Sequence, residues 1–456
     1  MLRIRNVCLP ALLLVSAPLC LSQDAGQRLQ VHGFGSARSE GIRVKARQLL
    51  AIRTSQKGEL VPAIFISDEA ENLLAKNNEA GDTSNFDWRA PGAGRYRVTI
   101  FSNSETEVEY TIRVLKGDDL APPANRPTFA VVPVFWATNR NVASRRPPHF
   151  DTELSKDGSL SYGVSEVSVP MDHVRGQLES PSILRLEFRP DPEKHVVLLA
   201  SELSEASRFF SDVSRYTMRS TTRDALVFIP GFASTLEEAS RRTAQISFDL
   251  KFKGPSILFS WPSQGEPGDR NYLKDSHNAE HSMQQLRSFL VDLARNSKID
   301  RIEVIVQGLG NIPLVNALAG VPSETSHVDR VALLAPNMDA ATFRKLAADF
   351  RKAANSISLY ASSNDSEMVT SKRLEGYPRA GQSRPDVVVV PGIDTIDAFP
   401  IDISILGTSH ASHEDKFQIL ADLFGFLTGN TPDRRIALRQ AHIAAGTYWV
   451  FSPTGR

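Results

Sequence analysis

The sequence predicts a small all-β sandwich followed by a larger, mostly parallel β-sheet with helices on both faces. Short alternating runs separated by turn residues recur from about residue 30 to residue 116, which is typical of a sandwich. From about residue 225 onward, apolar runs alternate with helical patterns. Strands of a parallel sheet are covered on both faces, so they appear as nearly continuous apolar runs.

Length and composition describe an ordinary globular protein. The chain has 456 residues, of which 41% are hydrophobic and 23% charged, and this length favours two or three domains. Lys plus Arg and Asp plus Glu are equal at 52 each. This balance gives no support to a nucleic-acid partner, because such proteins present an excess of basic charge.

Residues 1–22 have the pattern of a cleaved signal peptide. Arg3 and Arg5 precede an apolar stretch at 7–21, and small residues near position 22 suit a signal peptidase. The stretch is short for a membrane span and is interrupted by Pro10 and Pro18. We therefore expect an exported protein, periplasmic or extracellular, that is not an integral membrane protein.

The two cysteines, Cys8 and Cys20, both lie in this leader. The mature chain is therefore expected to have no disulfide and no cysteine-bound metal. We predict no cofactor.

Residues 23–116 form the predicted sandwich, and residues 117–128, with three prolines, form a linker. Three phrases in the sandwich are distinctive: Leu74-Ala75-Lys76-Asn77-Asn78, Phe86-Asp87-Trp88-Arg89-Ala90-Pro91 and Gly94-Arg95-Tyr96-Arg97-Val98. With them the region resembles the bacterial pre-peptidase C-terminal domain, which implies an accessory domain for carbohydrate or protein surfaces. Asn77, Asn78 and Asp82 offer oxygen ligands for calcium, but a polar turn is the favoured interpretation.

The second region, predicted at 129–430, contains a strand–turn–helix unit. An apolar run at 302–306 leads into Gly308-Leu309-Gly310, and a helix is predicted at 312–318. Further helices are predicted at 206–219 and 278–296, and after a capping box formed by Thr235 and Glu238. In the tail, 431–456, a helix is predicted at 435–445.

Several phrases of this region together resemble a bacterial family of largely uncharacterised α/β-hydrolases. They are Phe135-Trp136-Ala137-Thr138-Asn139-Arg140, Phe228-Ile229-Pro230-Gly231-Phe232, Leu258-Phe259-Ser260-Trp261-Pro262-Ser263-Gln264-Gly265, Leu334-Ala335-Pro336-Asn337-Met338-Asp339 and Leu359-Tyr360-Ala361-Ser362-Ser363-Asn364-Asp365. The resemblance spans about 130–430 and implies an α/β-hydrolase fold. It also implies hydrolysis of an ester, amide or similar acyl bond by a Ser–His–acid triad.

The resemblance assigns site positions residue by residue. The nucleophile position is Gly308, which has no side chain, while the acid position is Asp365. The histidine position is Thr408, although a shifted loop could bring His410 or His413 to the site. Gly231, Phe232 and Leu309 are expected on the oxyanion side.

Two of three triad members are thus replaced, and loss of one costs a serine hydrolase on the order of 10⁴–10⁶ in rate. Glycine also relaxes the strained backbone of a nucleophile turn. The sequence therefore favours a pseudoenzyme with a binding or scaffold role. Its partner would be a small acyl ligand, or a protein or cell surface.

Two alternatives remain open. An active hydrolase could use a relocated nucleophile, such as Ser362, Ser363 or Ser409, or a water activated by Asp365 and His410. Metal-dependent hydrolysis is the weaker alternative. His410 and His413, like His277 and His281, lack a third histidine at ligand spacing. We predict no metal site.

Overall fold

The computed structural model describes the chain from residue 27 to residue 451 with gaps. The described residues are 27–31, 36–45, 48–54, 63–69, 73–76, 85–90, 93–101, 108–115, 128–171, 173, 178–181, 189–320, 327–362, 366–383, 385, 387–399, 413–435 and 438–451. The predicted leader, the predicted linker except residue 128, and the proposed calcium ligands Asn77, Asn78 and Asp82 lie outside them.

The first region is all β. Its strands are β1 Gln27–Val31, β2 Ser36–Arg38, β3 Ile42–Val44, β4 Leu49–Thr54, β5 Ala63–Ser67, β6 Leu73–Lys76, β7 Asn85–Arg89, β8 Gly94–Phe101 and β9 Val108–Leu115. One sheet has the order β1-β9-β4-β7, and the other has β2-β8-β5-β6 with β3 also paired to β8. Alternate apolar residues of both sheets, including Leu50, Ile52, Val98 and Ile100, form one shared core, as in a sandwich.

The second region is built on an eleven-stranded sheet. Its strands, with a separate hairpin β11–β12, are β10 Phe129–Thr138, β11 Arg140–Arg145, β12 Pro148–Leu154, β13 Ser161–Pro170, β14 Val197–Ser204, β15 Asp224–Ile229, β16 Ser256–Ser260, β17 Arg301–Gln307, β18 Val328–Leu334, β19 Ser356–Ala361, β20 Asp394–Asp397, β21 Leu438–Ile443 and β22 Gly446–Phe451. The helices are α1 Ala206–Arg219, α2 Leu236–Asp249, α3 Asp269–Glu280, α4 Met283–Asn296, α5 Asn311–Leu318, α6 Ala340–Phe350, α7 Ser366–Glu375 and α8 His413–Leu427.

The strand order is β14-β13-β10-β16-β15-β17-β18-β19-β20-β22-β21. Pairings from β10 through β22 are parallel, whereas β13, β14 and β21 pair antiparallel. This confirms the predicted mostly parallel sheet. Strand β17 lies in the middle, so the turn that follows it opens at the centre of the sheet's carboxyl edge, where ligands of such sheets bind.

Apolar side chains of each central strand alternate between two core layers. In β15, Val227 points into the layer that holds α1, α4, α5 and α6, and Phe228 points into the layer that holds α2 and α8. Helices therefore cover both faces, and this explains why the central strands are apolar throughout.

Three predicted elements differ from the structure. The tail helix at 435–445 is wrong: β21 and β22 form a hairpin there, turning at Ala444-Ala445, and β22 pairs with β20. The predicted helix at 278–296 is two helices, because it breaks at His281 and the buried Ser282. The four valines at 387–390 predict a buried strand from their apolar pattern, but they are buried or half-buried without forming one, and the strand that follows them is β20.

The capping box predicted at the start of α2 is present. Thr235 accepts a hydrogen bond from the Glu238 backbone N–H, and Glu238 accepts one from Thr235 in return. In the part of the chain that the structure describes, every helix is too short or too polar to cross a membrane.

Candidate functional site

The turn after β17 has the geometry of a nucleophile turn but holds no nucleophile. Gly308 has φ +50°, a backbone conformation that costs a side-chain-bearing residue about 1–2 kcal/mol. A single 3₁₀ turn over Gly308–Gly310 leads directly into α5. The whole turn is buried.

The group above Gly308 is the carboxylate of Glu367, near the start of α7. Its Oε1 accepts hydrogen bonds from the Leu309 backbone N–H at 2.6 Å and from Asn337 Nδ2 at 2.9 Å. Its Oε2 lies 3.4 Å from the Phe232 backbone nitrogen, which donates to it. In a serine hydrolase the N–H after the nucleophile and an N–H from the neighbouring loop bind the oxyanion. Here the equivalent N–H groups bind Glu367.

The carboxylate also fills the space that a nucleophile would need. A Cβ placed on Gly308 would lie 2.6 Å from Glu367 Cδ and closer still to Oε2. Real Cβ atoms do not approach other groups so closely, so a serine at this position cannot coexist with Glu367 as it stands. Gly308 therefore has a second role besides its backbone freedom: it makes room for the carboxylate.

The loop that contributes Phe232 follows β15 and is held from behind by Asp275 of α3. Asp275 is fully buried. One of its oxygens accepts from the Ala233 backbone N–H at 3.1 Å and from Ser263 Oγ at 2.5 Å, and the other accepts from the Gln264 backbone N–H at 2.7 Å. Hydrogen bonds accepted by a carboxylate are stronger than those between neutral groups, so they hold the loop firmly in place.

Arg140 and Trp261 complete this support. The Arg140 guanidinium donates to the Ser234 carbonyl at 2.7 Å and to the Ser263 carbonyl at 2.9 Å, and the Trp261 indole donates to the Pro230 carbonyl at 2.7 Å. Burial lowers the pKa of Arg140 to about 10, although the charge of Asp275 opposes the shift. Trp261 and Ser263 of the Phe-Ser-Trp-Pro-Ser phrase are thus explained by support of this loop.

Burial also raises the pKa of Asp275 itself, against the opposing hydrogen bonds and the charge of Arg140. Tyr272, also on α3, packs edge-on against Phe232, with ring centroids 5.5 Å apart. Its hydroxyl lies 3.4 Å from Glu375 Oε2 on α7. Burial raises the pKa of Tyr272 well above its ordinary value, so this hydroxyl stays protonated and cannot act as a base near neutral pH.

The structure brings together part of the predicted site. Gly231, Phe232, Gly308 and Leu309 surround one point at the end of β17, with the Gly231 α-carbon beside the same carboxylate. Ser362 is buried at the end of β19, where its backbone N–H donates to the Gly381 carbonyl. The predicted positions Asp365, Thr408 and His410, and the alternative nucleophiles Ser363 and Ser409, lie outside the described residues.

Sequence reasoning missed Glu367, Asn337 and Asp275. Glu367 lies two residues after the predicted acid Asp365. The sequence does contain a signal for Glu367, because it is a second acidic residue after β19, the strand that precedes the predicted acid Asp365. Asn337 lies in one of the family phrases, which implies no role for it, whereas in the structure its Nδ2 donates to Glu367.

No group of three or more His, Cys, Asp or Glu residues within the described ranges could hold a metal ion. The rings of His277 and His281 lie with centroids 4.1 Å apart and planes tilted by 40° at the end of α3, and His281 Nδ1 is hydrogen-bonded to the His277 carbonyl. Metal coordination is therefore not indicated at the histidine pair.

Comparison with known proteins finds a family match within the second region. Residues 205–424 match the model of a family described as alpha/beta hydrolase of unknown function (DUF900). The resemblance to uncharacterised α/β-hydrolases and the predicted fold class are thereby confirmed. No sequence among curated proteins matches this chain.

Solved structures give only distant likenesses. The pre-peptidase C-terminal domain of a Bacillus anthracis collagenase aligns with 20% of this chain and 89% of that chain, at 13% identity and a TM-score of 0.17. A family two carbohydrate esterase from Cellvibrio japonicus aligns with 89% of this chain and 96% of its own, at 10% identity and a TM-score of 0.18. Neither likeness bears on activity.

Proposed function

We propose that this chain is an α/β-hydrolase-fold protein without serine-hydrolase activity, and that it acts as a binding or scaffold protein. The observation that supports the proposal is the position of the Glu367 carboxylate, which occupies the nucleophile's space and the N–H groups of the oxyanion site together. The missing hydroxyl at Gly308 and the filled site are independent obstacles to acyl transfer.

The two obstacles act on different parts of the reaction. Without a hydroxyl or thiol at residue 308, no acyl-enzyme forms at the turn. With its N–H donors already bonded to a carboxylate, the site cannot also stabilise the oxyanion of a substrate, an effect worth roughly 10²–10³ in rate for a single donor. A negative carboxylate at the same point would in addition repel that oxyanion.

A filled site also bears on the partner. A small acyl ligand would have to displace Glu367 and its three hydrogen bonds, so we favour a protein or cell-surface partner that binds elsewhere on the chain. Residues 1–22 have the pattern of a leader. We therefore propose that the protein binds its partner after export, in the periplasm or outside the cell.

The test is activity-based labelling of the chain from residue 23 onward with a fluorophosphonate probe, together with hydrolysis of short nitrophenyl esters. The natural protein should show neither. Restoring the family residues alone, with Gly308→Ser and Thr408→His, should also fail, because Glu367 still occupies the site. Adding Glu367→Ala to these two changes should give the first labelling, at residue 308.

Labelling of the natural protein at any serine would refute the proposal. If a hydrolytic activity appears without labelling, His410→Ala decides its origin. Loss of that activity would establish the alternative in which Asp365 and His410 activate a water molecule. Labelling of the Gly308→Ser, Thr408→His pair without a change at Glu367 would show that the carboxylate is no obstacle.

A further inference from the structure

We propose that the Gly308 turn is a binding site for a small carboxylate and that Glu367 is its built-in ligand. The inference rests on the proposed function, because it treats the site as a receptor for an anion and not as a catalytic centre. It predicts that a free monocarboxylate of the size of acetate occupies the turn when the Glu367 side chain is shortened.

The donor set matches a carboxylate. Two donors, the Leu309 N–H and Asn337 Nδ2, converge on one oxygen, and the Phe232 N–H faces the other. Two of these donors are backbone groups at the ends of β15 and β17, fixed by the sheet and by the loop support from Asp275. Donors held in place by the fold bind an anion without reorganisation, so the site persists when its ligand is removed.

The walls select a small planar anion. Two glycines face the carboxylate: a Cβ on Gly231 would lie 3.0 Å from Oε2, and one on Gly308 would overlap the carboxylate outright. The ligand thus lies directly against two backbone segments. A tetrahedral anion such as sulfate or phosphate is bulkier and presents oxygens out of one plane, so we expect it to be excluded.

Replacement of Glu367 by alanine removes the side-chain Cγ and the carboxylate, which together are the non-hydrogen atoms of acetate. The change leaves a void of that shape next to three N–H donors without a partner there. Buried donors without a partner are costly, so both the void and the donors favour uptake of acetate from solution.

The experiment measures thermal unfolding of Glu367→Ala against acetate concentration, at constant ionic strength set by chloride. We expect the Tm of the variant to fall by roughly 5 °C in chloride and to recover most of that loss, with saturation, as acetate is added. Formate should act in the same direction. Sulfate and phosphate should not, and the natural protein should not respond to acetate.

Two variants serve as controls. Glu367→Gln keeps the volume of the side chain and should be insensitive to acetate, because the void is absent. Glu367→Ala with Asn337→Ala lacks one donor and should need at least tenfold more acetate for half of the recovery. If Glu367→Ala does not fold in chloride, its soluble folded yield in acetate, followed by circular dichroism, replaces the Tm as the readout.

No saturable effect of acetate on Glu367→Ala, or an equal effect on all variants, would overturn the inference. These outcomes are separate from those of the labelling experiment. Acetate binding can fail while the protein remains unlabelled, and labelling of the natural protein would refute the proposed function whether or not acetate binds.

Discussion

Two buried carboxylates, Asp275 and Glu367, lie at the same edge of the sheet and accept hydrogen bonds from neighbouring residues of the same loop. Asp275 accepts the Ala233 N–H, with the guanidinium of Arg140 nearby. Glu367 accepts the Phe232 N–H at the turn that follows β17. Neighbouring residues of one loop thus donate to a supporting carboxylate and to an occluding one.

The difference separates two roles that a buried carboxylate has at this edge of the sheet. The support from Asp275, Arg140 and Trp261 maintains the shape of an oxyanion site. The Glu367 carboxylate occupies that site and accepts the hydrogen bonds of its N–H groups. A maintained site is therefore no evidence of catalysis, because the same donors stabilise the fold through an internal ligand.

The largest effect is expected when the supporting carboxylate is removed. Asp275→Ala leaves two backbone N–H groups and Ser263 Oγ without their acceptor and takes a compensating charge away from buried Arg140. We expect a loss of about 3–5 kcal/mol in the free energy of unfolding, measured by urea denaturation. Asp269→Ala is the matched control on the same helix. Its half-exposed ion pair with Arg373 should contribute less than about 1 kcal/mol.

An intermediate effect is expected from a serine at the turn. Gly308→Ser should destabilise the natural protein by roughly 3 kcal/mol, from the φ of +50° and the overlap with Glu367. In a Glu367→Ala background the overlap is gone, and the cost should fall to about 1 kcal/mol. A double-mutant cycle in urea measures this coupling. Additive costs would mean that the carboxylate moves aside freely and that the two residues are independent.

A smaller effect on stability is expected at a third buried carboxylate, Glu303 on β17. Unlike Asp275 and Glu367, it has no backbone N–H donor among the described residues. One oxygen lies 3.2 Å from Arg330, and the other has no hydrogen-bond partner among the described residues. Burial raises the pKa of Glu303 from 4.5 to about 8. The folded state therefore binds more protons than the unfolded state across this window, and the free energy of unfolding falls as the pH rises through it.

Glu303→Gln keeps the neutral shape and should remove that fall. We expect the variant to be more stable than the natural protein by roughly 2 kcal/mol near pH 6 and to match it near pH 4, with urea denaturation at both pH values as the measurement. An unchanged pH profile would show that Glu303 is ionised in the folded protein without penalty.

The fold could be predicted largely from sequence because its signals are local and repeated. The run at 302–306, for example, is apolar on both faces, and the structure buries it between two helix layers as β17. The tail could not be predicted correctly. Residues 435–445 have no strong period of their own, and β21 is a strand because β22 pairs with it.

Only the parts of the site that are contiguous in sequence could be predicted. Gly308 and Leu309 follow from the pattern of one turn, which is contiguous in sequence. Glu367 lies 58 residues beyond Leu309, and its role depends on where α7 starts relative to β17. The sequence explains Gly308 by relief of backbone strain. The structure adds a second reason, because the missing side chain leaves space for Glu367.

The fit of Glu367 over Gly308 also makes a serine nucleophile difficult to gain one substitution at a time. A serine gained first overlaps the carboxylate, and a carboxylate lost first leaves buried donors without their ligand. Each single variant is expected to be less stable than the natural protein before any activity exists to favour it. The two positions are therefore coupled: a serine with free N–H donors beside it is present at the turn only when both mutations occur together, and Thr408 at the histidine position would still have to change.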